Sequence, residues 1–410
     1  MPYPLDHRRV VGMTGFEPAT SASQTQRSTK LSYIPGAYEA VFAEQAQGHL
    51  ARERIVRSDT YRPERTFMSL NRASFLTTAA AGAAVTAATA APAAAAATHH
   101  FAAAPASPAD VAAATRGMTL TTIRENGLDH LGIRTSRGIV SVAAAAAAMN
   151  LNGVPNTVDD VVNGYGNLGA LANIAANAPA SAVYAENAVE FGPLVGKPRK
   201  ILCVGLNYAA HLAEAHEKPS GHPDMFAKWN NTLNRHKGTV SVSTIPAKNF
   251  DYESELVMIM GKTARNVSEA DALSYVYGYA CGHDFSARDL QMQSSQWTLG
   301  KTPDQFGPLG PWLVTADQIG DPQTLQVQTF INDEPTPRQD MNTSQMIFSC
   351  KYIVSYLSTI ITLEPGDVIF TGTPSGVILG MPKEKQVWLK PGDRVRTVIS
   401  KLGELHFTLV

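Results

Sequence analysis

The stretch Asp251-Tyr252-Glu253-Ser254-Glu255-Leu256, read with Asp284 further along, constrains this chain more than any other feature. Two carboxylates two residues apart lead straight into Leu256-Val257-Met258-Ile259-Met260, which reads as a buried strand. Side chains alternate along a strand, so Glu253 and Glu255 fall on one face. Like charges side by side repel and resist burial. A hard divalent cation removes that conflict: Mg²⁺, Mn²⁺ or Ca²⁺ takes oxygen ligands, and Mg²⁺ leaves positions for water and substrate.

Taken alone, a Glu-x-Glu pair is more often the solvated face of an edge strand. A second strand-like run, Val276 to Phe285, changes the balance. It is rich in Tyr, Val, Ala and Gly, yet its end carries His283-Asp284. Asp284 is either the third ligand of a facial metal site or a cap on the segment that follows.

The chain has 410 residues, room for about two or three domains. Its net charge of −1 points neither to nucleic acid nor to an acidic partner. Cys203, Cys281 and Cys350 are too few and too scattered for a disulfide framework or a cysteine metal site. Cys203 and Cys281 lie in apolar runs and read as buried free thiols.

Residues 1–67 mix Arg, Ser, Gln and Thr without a sustained apolar period, so they read as disordered or as non-native upstream sequence, with translation starting at Met68. Residues 68–97 form a signal-like segment: Arg72, then Phe75-Leu76, then a long alanine run. Asn71-Arg72-Ala73-Ser74-Phe75-Leu76 is similar to a twin-arginine signal in which Ala73 replaces the second arginine. The two readings are export, periplasmic or extracellular, and an Ala-rich linker in a cytoplasmic protein. No segment is apolar for the roughly 20 residues of a membrane span.

Residues 98–117 read as linker, and folded sequence is expected from Met118. The segment 118–198 reads as a small α+β domain, with strands at Thr119 to Ile123 and Gly138 to Val142. Thr157 is a helix N-cap there, with Asp159 and Asp160 in the first turn and Leu168, Leu171, Ile174 and Ala175 at helical spacing. Residues 199–410 read as a larger, mostly β domain. Short apolar runs at Ile201, Leu256, Tyr275, Trp312, Val327, Asp367 and Val395 are separated by turns such as Pro365-Gly366-Asp367. Helices are expected at Ser268 to Tyr275 and Ser344 to Thr359.

Other groups have chemistry in reach. His211 and Glu214 are i and i+3, on one face of a helix, where a carboxylate orients an imidazole and makes it a better base. His216-Glu217 is not a zincin motif, because Pro219 breaks the helix and no second histidine follows. Arg288 and Gln291 suit a substrate carboxylate or carbonyl. Gly300-Lys301-Thr302 lacks the first glycine of a phosphate loop, so Lys301 is free to stabilise developing negative charge. Gly372-Thr373-Pro374-Ser375-Gly376 is a turn able to offer N–H groups and a hydroxyl to an oxyanion. Each of these is also compatible with an ordinary polar surface or turn.

In order, these motifs resemble the fumarylacetoacetate hydrolase family. The matching stretches are Val204-Gly205-Leu206-Asn207-Tyr208 with His211 and Glu214, then Asp251 to Leu256, Asp284 to Gln291, Gln296-Trp297-Thr298 with Gly300-Lys301, Pro308 to Trp312, Asn342 to Phe348, and Thr371 to Gly376. The resemblance implies a mainly β, α+β fold: a mixed β-roll behind a small N-terminal α+β domain, in a homodimer. It implies Mg²⁺, with Mn²⁺ or Ca²⁺ as substitutes, held by Glu253, Glu255 and Asp284. It implies His211 as base, Glu214 as its orienter and Lys301 as stabiliser of an enolate or oxyanion, with Arg288, Gln291 and Thr373 holding a small 2-oxo acid. Two departures stand out. Met225-Phe226-Ala227-Lys228 runs into Trp229-Asn230-Asn231, which places a different lid between His216 and His236. His283 stands where Asn is commoner, positioned to tune Asp284 from behind.

The expected activity is metal-dependent hydrolysis or decarboxylation of a C–C bond in a 2-oxo acid or acylpyruvate. The alternatives are an isomerase or hydratase of 2-hydroxymuconate-type dienoates in aromatic catabolism, and a secreted metal-binding protein without catalysis.

Overall fold

The structure is a computed structural model that describes residues 104–410. Residues 1–67, the signal-like 68–97 and the start of the expected linker lie outside the described residues.

One large sheet organises the chain. From edge to edge it runs Val183–Tyr184, Gly138–Ser141, Leu128–Thr135, Thr119–Glu125, Leu313–Thr315, Val276–His283, Ser254–Met260, Val368–Phe370, Ile201–Gly205 and Asp224–Lys228. Neighbours are antiparallel except Val368–Phe370 and Ile201–Gly205, which are parallel. Strands from 118–198 share this sheet with those of the larger segment, because Thr119–Glu125 pairs with Leu313–Thr315. A second sheet orders Gln339–Asn342, Gln326–Ile331, Arg394–Ile399, Gly403–Leu409 and Gly238–Val240. The fold is α+β and mainly β, as expected.

The strand Ser254–Met260 is buried on both faces. Val257 and Ile259 pack toward the helices Val142–Ala148, Val158–Val162 and Ala170–Asn177. Leu256, Met258 and Met260 pack the other way, with Ile353, Val354 and Leu357 of the helix Cys350–Ile360 and Leu405 of the second sheet. Burying side chains of this size contributes about 1.5–3 kcal/mol each. That rigid apolar strand is what holds Glu255 in place against the cost of its own burial.

Several expected boundaries moved. The helix Pro108–Ala114 falls inside the expected linker, with Ser107 as its N-cap, Pro108 in the first turn and Val111 buried. The signal was present, since Ser-Pro-x-Asp is a helix start, but flanking alanines masked it. The helical run from Thr157 is two helices, Val158–Val162 and Ala170–Asn177, the first closed by a capping box between Thr157 and Asp160. The expected 344–359 helix begins only at Cys350, after a 3₁₀ turn at Thr343–Gln345. The expected lid 216–236 contains Asp224–Lys228, an edge strand of the main sheet paired with Ile201–Gly205. Leu128–Thr135 and Gly403–Leu409 were not foreseen as strands: the first is buried at three consecutive positions and does not alternate, whereas the second alternates regularly through Leu405, Phe407 and Leu409 and was legible. All three cysteines are free and buried. Among the described residues, no helix is long and apolar enough to cross a membrane.

Candidate metal centre and its cavity

Glu253, Glu255 and Asp284 come together. One oxygen from each lies within 4.8 Å of the others, and all three residues are buried. The register explains how. Ser254 pairs with His283 and Glu255 with Gly282, so Asp284 emerges beside Glu253, and its amide donates to Glu253 O at 2.9 Å. Alternation turns Ser254 the opposite way, where its hydroxyl meets Thr397 Oγ1 at 2.7 Å and Thr329 Oγ1 at 2.5 Å in the second sheet.

Three cations surround the triad. Lys301 Nζ donates to Glu253 Oε2 at 2.6 Å and to Asp284 Oδ2 at 2.7 Å. Arg288 Nη2 stands 2.6 Å from Glu253 Oε1, and Lys228 Nζ bonds Asp284 Oδ1. Sequence reasoning missed Lys228. It ends the edge strand Asp224–Lys228, and its side chain is buried. The Phe226-Ala227-Lys228 segment carries the signal, but along the chain it reads as part of a lid.

Glu255 differs from its neighbours. Its carboxylate accepts the Gly372 amide at 2.7 Å and has no cationic partner among the described residues. Burial, with the charges of Asp284 and Glu253, pushes its carboxyl well above the usual range. Burial works against Glu253 too, yet Arg288 and Lys301 hold it below the usual range. Glu255 is therefore the carboxylate of the triad whose charge the protein leaves uncompensated, and it holds its proton more tightly than Glu253 does. An all-oxygen donor set with one uncompensated carboxylate fits a hard divalent cation.

The triad lies on a cavity of about 900 Å³, which His211, Glu214, Gln291 and Thr373 also line. His211 sits on the short helix Ala209–Glu214, with Nδ1 bonded to Glu214 Oε1 at 2.8 Å. No protein group among the described residues bonds its Nε2. Glu214 is itself fixed by the Gly376 amide, at 3.1 and 2.9 Å from its two oxygens. Toward solvent the lining includes Phe226, Trp297 and the exposed Met292, with Asp224, Glu217 and Lys383.

Three expectations change in detail. His283 does not reach the Asp284 carboxylate. Its Nε2 accepts the Glu253 amide at 3.0 Å and its Nδ1 meets Thr397 Oγ1 at 3.1 Å. This makes Nδ1 the protonated nitrogen, and burial lowers the imidazole to about 3. Thr373 reaches the cavity, but its hydroxyl already donates to Ser254 O at 3.0 Å and accepts from Gln339 Nε2 at 2.8 Å. The Gly372 and Gly376 amides, expected to face an oxyanion, are used on Glu255 and Glu214.

These features define a class: a β-rich fold whose central strands bring an acidic triad, fit for a hard divalent metal, to a cavity large enough for a small substrate. The profile of the fumarylacetoacetate (FAA) hydrolase C-terminal family matches residues 200–410, and the chain belongs to that family. It is 42% identical over 219 residues to the fumarylacetoacetate hydrolase domain-containing protein 2 homolog of Dictyostelium discoideum, covering 51% of this chain and 70% of the relative. It is 40% identical over 218 residues to oxaloacetate tautomerase Fahd2a, mitochondrial, of Rattus norvegicus, covering 52% of this chain and 67% of the relative. Among solved structures it resembles maleylpyruvate hydrolase from Sphingobium sp. SYK-6 in complex with manganese(II) ion and pyruvate, with a TM-score of 0.56 and 28% identity, covering 72% of this chain and 99% of that one.

Proposed function

We propose that this chain is a divalent-metal-dependent enzyme that cleaves a C–C bond in an acylpyruvate or related 2-oxo acid, by hydrolysis. The observation that carries this reading is the His211–Glu214 pair on the cavity of the acidic triad, with Nδ1 held at 2.8 Å and Nε2 unclaimed by any of the described residues. Glu253, Glu255 and Asp284 would hold the metal, with Mg²⁺ as the proposed ion. When bound, it would supply Lewis-acid stabilisation of an enolate oxygen.

This chain's own groups do the rest. His211 Nε2 takes a proton from water, and Glu214 stabilises the imidazolium that forms. The hydroxide attacks the acyl carbonyl carbon. The C–C bond to the pyruvate unit breaks, its electron pair stays on that unit as an enolate, and a proton completes pyruvate. The acyl group leaves as a carboxylic acid. Lys301, in the buried cluster, opposes the negative charge that develops. Arg288 has Nε and Nη1 committed to Asp251 and Gln291, so it supports the floor of the site, while the Gln291 amide N–H is left to face a substrate oxygen. Thr373 steadies the Glu253–Glu255 segment through Ser254 O.

The rat relative's name supports a second reading, tautomerisation of a 2-oxo acid, in which His211 moves a proton without delivering water. A panel of acylpyruvates and oxaloacetate, assayed with and without Mg²⁺ or Mn²⁺, separates the two. Cleavage products that His211→Ala abolishes support hydrolysis. Retained cleavage in that variant sinks it.

A further inference from the structure

Asp251 is fully buried and outside the lining of the cavity, yet it accepts four N–H bonds. Oδ2 takes Arg288 Nε at 2.8 Å and the Leu379 amide at 3.0 Å. Oδ1 takes the Ile378 amide at 2.9 Å and the Tyr252 amide at 2.9 Å. The Tyr252 hydroxyl adds a bond to Gly376 O at 2.8 Å. Two adjacent residues therefore hold the 376–379 loop at three backbone points.

That loop is what holds the base. Gly376 donates to both oxygens of Glu214, and Glu214 holds His211. The close approach at Gly380, where a Cβ would stand 2.5 Å from Glu214 Cδ, shows how tightly the loop lies on that carboxylate. In the other direction Arg288 spans from Asp251 to Glu253. A continuous chain of ion pairs and hydrogen bonds thus runs from a carboxylate of the acidic triad through Arg288, Asp251 and the loop to Glu214 and His211.

We propose that Asp251 is a positioning residue that sets the His211–Glu214 pair against the metal triad. It rests on the reading of His211 as the base that activates water. A carboxylate is required there, because both oxygens accept N–H groups and one bond is charge-assisted. An asparagine would turn an NH₂ toward a donor and leave buried N–H groups unpaired.

A double-mutant cycle in the full chain tests this, with Asp251→Asn and Glu214→Gln assayed on the best substrate of the panel at saturating Mn²⁺. Direct Mn²⁺ binding and thermal stability are measured in parallel. Asp251→Asn is expected to lower kcat by about 10-fold or more, with KM and Mn²⁺ affinity within about 3-fold of the parent. In the Glu214→Gln background the same change should cost less than about 2-fold further, because coupled residues are not additive. Equal kcat losses in both backgrounds, or loss of Mn²⁺ binding in step with kcat, would overturn the positioning role. An unchanged kcat in Glu214→Gln alone would instead remove the water-activation reading, and this proposal with it. Tyr252→Phe deletes a single bond to the loop and keeps the packed ring. It should show a smaller kcat loss with the same non-additivity, and it carries the cycle if Asp251→Asn does not fold.

Discussion

The His283 ring accepts the backbone N–H of Glu253 at 3.0 Å, deep in the interior. A buried residue on one strand thus fixes the main chain of an acidic-triad residue on the next. His283→Leu leaves that amide unpaired and should cost about 1–3 kcal/mol of stability. His283→Asn keeps an acceptor and should cost less. Urea unfolding of both variants checks the order, and equal losses would remove the hydrogen bond as the cause.

Among the described residues Glu255 has no cationic partner, and burial with the charges of Asp284 and Glu253 holds its carboxyl well above the usual range. Glu255→Gln should leave the metal-free protein as stable or more so, since repulsion falls. It should lower Mn²⁺ affinity by about 100-fold, the upper end of what changes beyond the ligands cost. Thermal melts with and without Mn²⁺ read both effects, because a ligand that binds the folded state raises its midpoint. A metal-induced rise equal to the parent's would count against Glu255 as a ligand.

Gly380 lies against the Glu214 carboxylate. Gly380→Ala should push that side chain off His211 and reduce kcat by about 10-fold or more, as small misplacements of catalytic groups do. Mn²⁺ affinity should be unchanged, because the triad lies elsewhere on the cavity wall. Steady-state kinetics beside metal titration distinguish this from general damage.

His236 packs edge-on against Phe191 with ring centroids 4.9 Å apart, and its Nδ1 accepts the His406 amide at 3.2 Å. Burial, helped by His406 and Lys237, lowers it to about 3 from its ordinary 6.5. The unfolded chain therefore takes up a proton below 6.5 while the folded protein does not until about 3. Stability from this group is present above pH 6.5 and drains away as pH falls toward 3, by at most about 1.4 kcal/mol per pH unit. His236→Asn should flatten that fall between pH 7.5 and 5, as read by urea midpoints. A slope identical to the parent's would assign the loss to other groups.

Much of the fold and site could be read along the chain, and for local reasons. The run Leu256 to Met260 announced a strand buried on both faces, and alternation alone put Glu253 and Glu255 on one side of it. The i, i+3 spacing of His211 and Glu214 was enough to place them in contact on one helix. Thr157 showed itself as a cap because capping is a matter of three neighbouring residues. The helix at Pro108–Ala114 was legible too, and was missed because alanines give no periodic signal.

Contacts distant in sequence were decided by the tertiary structure. Nothing near Lys228 in the sequence says that an edge strand will carry its ammonium to Asp284, fifty-six residues on. Nothing near His283 says that its ring turns to the Glu253 amide rather than to the Asp284 carboxylate beside it. The same holds for Thr373, Gly372 and Gly376, whose hydroxyl and amides are taken up by Ser254, Glu255 and Glu214. The sequence by itself determined which groups are present and which face of their own element they occupy, because period and spacing are properties of a few consecutive residues. The pairing of strands decided which charges meet, which carboxylate is left without a counter-ion, and which donors are already engaged.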